Sequence, residues 1–95
     1  MPREKMIHVI EQYYADGRIV DGEHDMTWKD VQAFVGGYVE YVKTTNDFHV
    51  LLVNEDGLAF GLSENPNATA CVRRDVWMDR GGIRGNAVLA RARPC

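Results

Sequence analysis

Cysteine and proline are scarce in this chain, with two and three copies among 95 residues. Two thiols, one of them at position 95, cannot build the set of crosslinks that holds a small secreted cystine scaffold together. Long apolar runs are missing as well: none approaches the roughly 20 residues that a membrane helix needs. The opening Met-Pro-Arg-Glu-Lys leads into no apolar stretch of about 7–15 residues, so no secretory leader is expected. Internal repeats, low-complexity tracts and Pro/Ser-rich linkers are absent too, so one domain over residues 1–95 is expected, in the cytoplasm.

What is present is an ordinary globular composition: 45% hydrophobic, 26% charged, mean hydropathy −0.33. A chain of this size buries only about 60–65% of its extended-state surface, which leaves little stability to spare. It rarely encloses a deep site alone. A site shared between subunits avoids that limit, so a homo-oligomer is a reasonable expectation.

Charge is unevenly placed. Residues 1–70 carry five basic side chains (Arg3, Lys5, Arg18, Lys29, Lys43) against twelve acidic ones. Residues 71–95 carry six arginines (Arg73, Arg74, Arg80, Arg84, Arg91, Arg93), no lysine, and only Asp75 and Asp79. Arginine's planar fork of donors suits phosphate or carboxylate. Three readings follow: the basic third folds onto the acidic remainder, it holds a small anion, or it binds nucleic acid. The last fits poorly with a pI near 5.5.

Along the chain, Lys5-Met-Ile-His-Val-Ile10 is short and β-branched and reads as a strand that residues 11–14 could extend. Ala15-Asp-Gly-Arg18 is a turn, and Ile19 and Val20 make a brief second strand. Residues 21–25 are polar and loop-like. Thr27 is a good N-cap with Asp30 three residues on, and Trp28, Val31, Phe34 and Val35 recur at helical spacing. Gly36-Gly37 ends that helix, which spans 27–35.

Residues 38–43 follow as a strand and 44–47 as a turn. Phe48-His-Val-Leu-Leu-Val53 is the most apolar stretch and belongs in the middle of a sheet. Asn54-Glu-Asp-Gly57 reads as a hairpin loop, with residues 58–62 returning as its partner strand. A helical turn over 68–72 with Asn67 as cap, an irregular stretch over 73–84, a strand over 85–90 and a frayed 91–95 complete the pattern. The expected fold is α+β: an antiparallel or mixed sheet of four to six short strands, with the 27–35 helix packed on one face.

Val35-Gly-Gly-Tyr-Val-Glu40, Asn54-Glu-Asp-Gly57 with Gly61-Leu62, Asn65, Asn67, Ala68 and Thr69, then Gly85-Asn86 before a strand, form an ordered set. In that order and spacing the chain resembles, over about residues 5–90, a family of small phage and mobile-element proteins known as a domain of unknown function. The resemblance implies an accessory role and supplies no activity. Residues 75–84 make a longer stretch than the resemblance leads one to expect.

Candidate chemistry is thin. Asp21, Glu23, His24 and Asp25 are the densest group of ligand types, but Met26 and Gln32 stand where a calcium loop needs glycine and a bidentate acid, so no metal is expected. His8 and His49 interrupt apolar strands and form an acid–base pair only if those strands converge. Adjacent arginines could lower the thiol pKa of Cys71, though a small core residue is the simpler reading. Gly81-Gly-Ile-Arg-Gly85 lacks the Lys-Ser/Thr of a phosphate loop yet could form an amide nest. Asn and Glu beside turns bond the local backbone. A ligand site, if present, is expected at Asn54, Glu55, Asn65 and Asn67, with positive charge from Arg73, Arg74 or Arg84.

No catalytic residue and no cofactor are assigned. The expected function is a non-enzymatic accessory protein that binds a host protein or a small anionic ligand such as a nucleotide. The alternatives are a small hydrolase using His49 or His8 and a nucleic-acid module using the arginine-rich third. No membrane partner is expected.

Overall fold

The computed structural model describes residues 5–77 and 81–92, apart from the side chains of Arg74 and Val76. Five strands form one antiparallel sheet: β1 (Met6–Tyr13), β2 (Ile19–Thr27), β3 (Val39–Lys43), β4 (His49–Asn54) and β5 (Ala87–Arg91). Their spatial order is β2-β1-β5-β4-β3. Two hairpins are thus joined by β5, which pairs β1 through Val9↔Ala90 and β4 through Val50↔Ala90. The expected α+β class holds, and the sheet is wholly antiparallel.

Helix α1 (Trp28–Val35) forms where the sequence places it. The Thr27 side chain accepts the Asp30 amide at 3.1 Å, and Gly36 closes the helix in the left-handed region at φ 87°. Its buried Val31 lies against one sheet face, with Ile7, Val9, Leu52, Val88 and Ala90 beneath, and Val35 is buried one turn on. The other face carries Tyr13, Val42, Leu51, Val53, Ala87 and Leu89. It is covered by the long β4–β5 connection, which brings Ala68, Val72 and Ile83 down onto it. Strand β4 is therefore apolar on both sides because both sides are covered.

Five local readings are corrected. Residues 21–25 are no loop: they continue β2, registered as Val9↔His24 and His8↔Asp25. At a sheet edge both faces of a strand meet water, so a polar sequence can pair through its backbone without an apolar stripe. Residues 58–62 form no strand. Asn54 Oδ1 accepts the Asp56 amide at 2.7 Å, and Phe60, Gly61 and Leu62 donate back to Asp56, Leu58 and Gly57, giving consecutive turns. The next helix, α2 (Pro66–Thr69), is capped by Asn65 rather than Asn67, with proline at its start where the missing amide costs nothing. Within the stretch read as irregular, α3 (Arg74–Trp77) makes one turn. Arg91, read as frayed, closes β5, while residues 93–95 lie outside those described.

Candidate functional site

The long connection is fixed by asparagine side chains that bond backbone groups from distant elements. Asn65, fully buried, donates to the carbonyls of Tyr13 and Gly85, both at 2.9 Å, and accepts the Ala68 amide at 3.1 Å. Asn54, also buried, donates to the Val35 carbonyl at the end of α1. Asn67 donates to Gly17, and Asn86 joins Ala15 to Phe34. Of the residues expected to hold a ligand, Asn65 thus has both amide groups engaged internally. Asn54 and Asn67 each spend a donor on a distant loop or helix end. The turn-forming habit of asparagine was legible in the sequence; its reach across 52 residues, from Asn65 to Tyr13, was not.

Asn54, Glu55 and Arg84 are brought together. They line a cavity of about 370 Å³ on the α2 side of the sheet, with Glu40, Leu58, Trp77 and Ile83 as further walls. That is within the ordinary range of small-ligand sites, roughly 300–1,000 Å³. Trp77 was not anticipated, and no sequence pattern marked it.

Arg84 differs from the other arginines. Arg18 pairs with Asp16 at 2.8 Å, Arg73 with Asp75 at 2.6 Å and Arg91 with Glu23 at 2.7 Å. Arg84 forms no ion pair among the described residues. Its Nη1 donates to the Leu62 carbonyl at 3.1 Å, and its Nε is buried with no partner. The guanidinium lies against Gly81, where a Cβ would stand 3.0 Å from Nη2. The basic third therefore reaches the acidic remainder at Arg91, pairs within itself at Arg73, and forms no ion pair at Arg84 among the described residues. The side chain of Arg74, and Arg80 and Arg93, are outside the described residues.

The glycine-rich segment around Arg84 is no amide nest. Gly82 donates to Trp77, Ile83 to Thr69 Oγ1 and Gly85 to Ser63, so these amides are spent. Gly81, Gly82 and Gly85 supply positive φ for the turns instead. Cys71 is half-buried, with Sγ 3.5 Å from the Asn67 carbonyl, and burial pushes its thiol pKa up. The direction is opposite to that of an activated thiol. Burial likewise raises the Tyr13 phenol far above its usual range.

His8 and His49 do not meet, because β5 runs between their strands and places Arg91 beside His49. His8 instead contacts two carboxylates from β2, Nδ1 to Asp25 at 3.2 Å and Nε2 to Glu23 at 3.1 Å. Both ring nitrogens are therefore engaged by carboxylates. The hydrogen bonds from His8 and Arg91 hold the Glu23 carboxyl below the usual range. A depressed carboxyl contributes stability above its unfolded-state pKa and loses it as pH falls through the folded value. Glu23→Gln should therefore lower the melting temperature at neutral pH, with the gap to wild type closing below about pH 4. Thermal melts across that range check it, and a gap that persists in acid would contradict the assignment.

No curated protein and no solved structure matches the chain. A family model described as Domain of unknown function (DUF3846) matches residues 5–94.

Proposed function

The chain belongs to the DUF3846 family, and we propose that it is a non-enzymatic binding protein that holds a small anionic ligand in the cavity beside Arg84. An accessory role in a phage or mobile element fits this reading. The supporting observation is the Arg84 guanidinium: a buried Nε without an acceptor, in a cavity where no carboxylate among the described residues pairs with it. A buried donor left unpaired costs free energy that an incoming oxyanion would recover.

The other walls define the remainder of the ligand. Glu40 and Glu55 are acceptors that reward N–H donors, and Trp77 and Leu58 offer apolar surface. A phosphate on a ring bearing exocyclic amines, the chemistry of a nucleotide, meets all three demands. The hydrolase reading lacks support at His8, whose ring nitrogens are both committed. The nucleic-acid reading loses Arg73 and Arg91 to intramolecular pairs.

Calorimetry and thermal shift with mono-, di- and cyclic nucleotides test the proposal. Saturable binding is expected, weakened about 10- to 100-fold by Arg84→Met, the worth of a charge-assisted hydrogen bond. The same substitution removes an unpaired buried donor but also the Nη1 hydrogen bond to the Leu62 carbonyl, so the urea midpoint should stay close to wild type. No response across the screen, or undiminished binding by Arg84→Met, would remove the reading.

A further inference from the structure

Strands β2 and β3 are the two edges of the sheet, and they are not alike. The β2 edge carries Asp21, Glu23 and Asp25 around Gly22, a charged and kinked border of the kind that discourages pairing. The β3 edge reads Val-Glu-Tyr-Val-Lys, with one charge of each sign and no glycine or proline. Among the described residues, three exposed large apolar side chains, Met6, Ile19 and Val20, lie in β1 and β2, and the other five lie in β3 or the segments next to β3 and β4. Tyr41 lies in β3, Tyr38 just before it, Phe48 in the turn between β3 and β4, and Leu58 and Phe60 in the loop after β4. Leu58 shares a cavity with Glu40 of β3, which ties that loop to the edge. Clustering of this kind marks a contact surface.

The ladder fixes which backbone groups the edge offers. The Glu55 amide donates to the Tyr38 carbonyl at 2.9 Å, so Tyr38, and by alternation Glu40 and Val42, turn their amides and carbonyls toward β4. Val39, Tyr41 and Lys43 turn theirs outward. This odd-numbered trio is symmetric about Tyr41. An identical strand laid antiparallel with Tyr41 on the two-fold axis pairs Tyr41 with the partner's Tyr41 and Val39 with the partner's Lys43. Every outward group in the trio is then matched. Side chains agree: Lys43 stands opposite the partner's Val39 and Glu40 opposite the partner's Val42, so no like charges face each other directly. A β2–β2 pairing would bring acidic strands together.

We infer that β3 is a homodimer interface, in which two copies join edge to edge about Tyr41 and continue the sheet across a two-fold axis. This contact is isologous and closes on itself, whereas β3 against β2 of another copy would propagate without end. It also sets the partner's Val42 beside Glu40, at the rim of the Arg84 cavity, so the dimer would wall that cavity with a second chain. The dimer does not depend on a ligand being bound there.

Light scattering coupled to size exclusion should give twice the 10.8 kDa chain mass at high micromolar concentration. Hydrogen exchange by NMR is the sharper measurement. In the dimer the amides of Val39, Tyr41 and Lys43 should be slowed together with those of Glu40 and Val42. On dilution the odd-numbered three alone should become fast. Tyr41→Pro removes an outward amide, which an edge strand tolerates, together with the ring that stacks on Trp28 and accepts from Lys5; it should give a monomer, with Tyr41→Phe, which keeps ring and amide, remaining a dimer. A monomer at all concentrations would overturn the inference. So would a dimer whose Val39, Tyr41 and Lys43 amides exchange freely, or one that survives Tyr41→Pro. If Tyr41→Pro fails to fold, the wild-type exchange pattern alone decides.

Discussion

Asn65→Ala should unfold most of the protein under conditions in which the wild type is folded. The side chain it removes is fully buried and answers three backbone groups at once: the carbonyls of Tyr13 and Gly85 and the amide of Ala68. Alanine leaves all three without partners in a region too tightly packed to admit water easily. Each stranded buried group costs about 1–3 kcal/mol, and the three share one network, so a total of about 3–5 kcal/mol is expected. A domain of this length holds about 5–10 kcal/mol in all, so the urea midpoint should fall by a third or more. Asn65→Asp separates the contributions. It keeps the acceptor that caps α2 but offers two carbonyls a negative charge, and should be at least as damaging as alanine. Urea unfolding followed by circular dichroism measures both. A loss under about 1 kcal/mol would mean that the connection is held by its apolar contacts and that Asn65 is replaceable.

Leu51 and Leu52 are adjacent in β4, both fully buried, and point into opposite apolar layers. Leu51→Ala empties space under the α2 side, and Leu52→Ala under α1. Each should cost about 2–5 kcal/mol, the range for buried leucines whose surroundings cannot collapse. Near-equal losses are the informative result, since they require both faces of one strand to be interior. In a sheet with one face wet, one of the two would be nearly silent. Urea denaturation of the two variants side by side makes the comparison. If Leu51→Ala were tolerated while Leu52→Ala were not, the β4–β5 connection would not be a true second layer.

Much of this architecture is readable before any coordinates. Thr27, Asp30 and Gly36-Gly37 announce α1 because capping is local chemistry, decided within a few residues. The apolar run at 48–53 announces an interior strand for the same reason that Leu51 and Leu52 are both buried. The readings that needed correction depend on distant partners. Residues 21–25 look like a loop because an edge strand needs no apolar stripe, only β1 beside it. Residues 58–62 look like a strand because Asp-Gly suggests a hairpin, yet Gly57 is there to let the Arg84 backbone approach: a Cβ would stand 2.9 Å from its carbonyl oxygen. The candidate site divides the same way. Asn54 and Glu55, expected as polar turn residues, and Arg84, expected as a source of positive charge, do share a cavity, whereas Asn65 serves the fold. Glu40, the end of the motif at 35–40, is a further wall, and Trp77 completes the cavity through tertiary packing that no local pattern encodes.

The placement of β5 carries a consequence for how the chain is made. Residues 87–91 hold the middle of the sheet, so every nascent form short of them consists of two separate hairpins with no shared ladder. A translating ribosome must release that segment from its exit tunnel before any native sheet can assemble. Until then both apolar layers stay open to chaperones, proteases and other unfinished chains, and folding must wait for contacts between β1 and β5 that span most of the sequence.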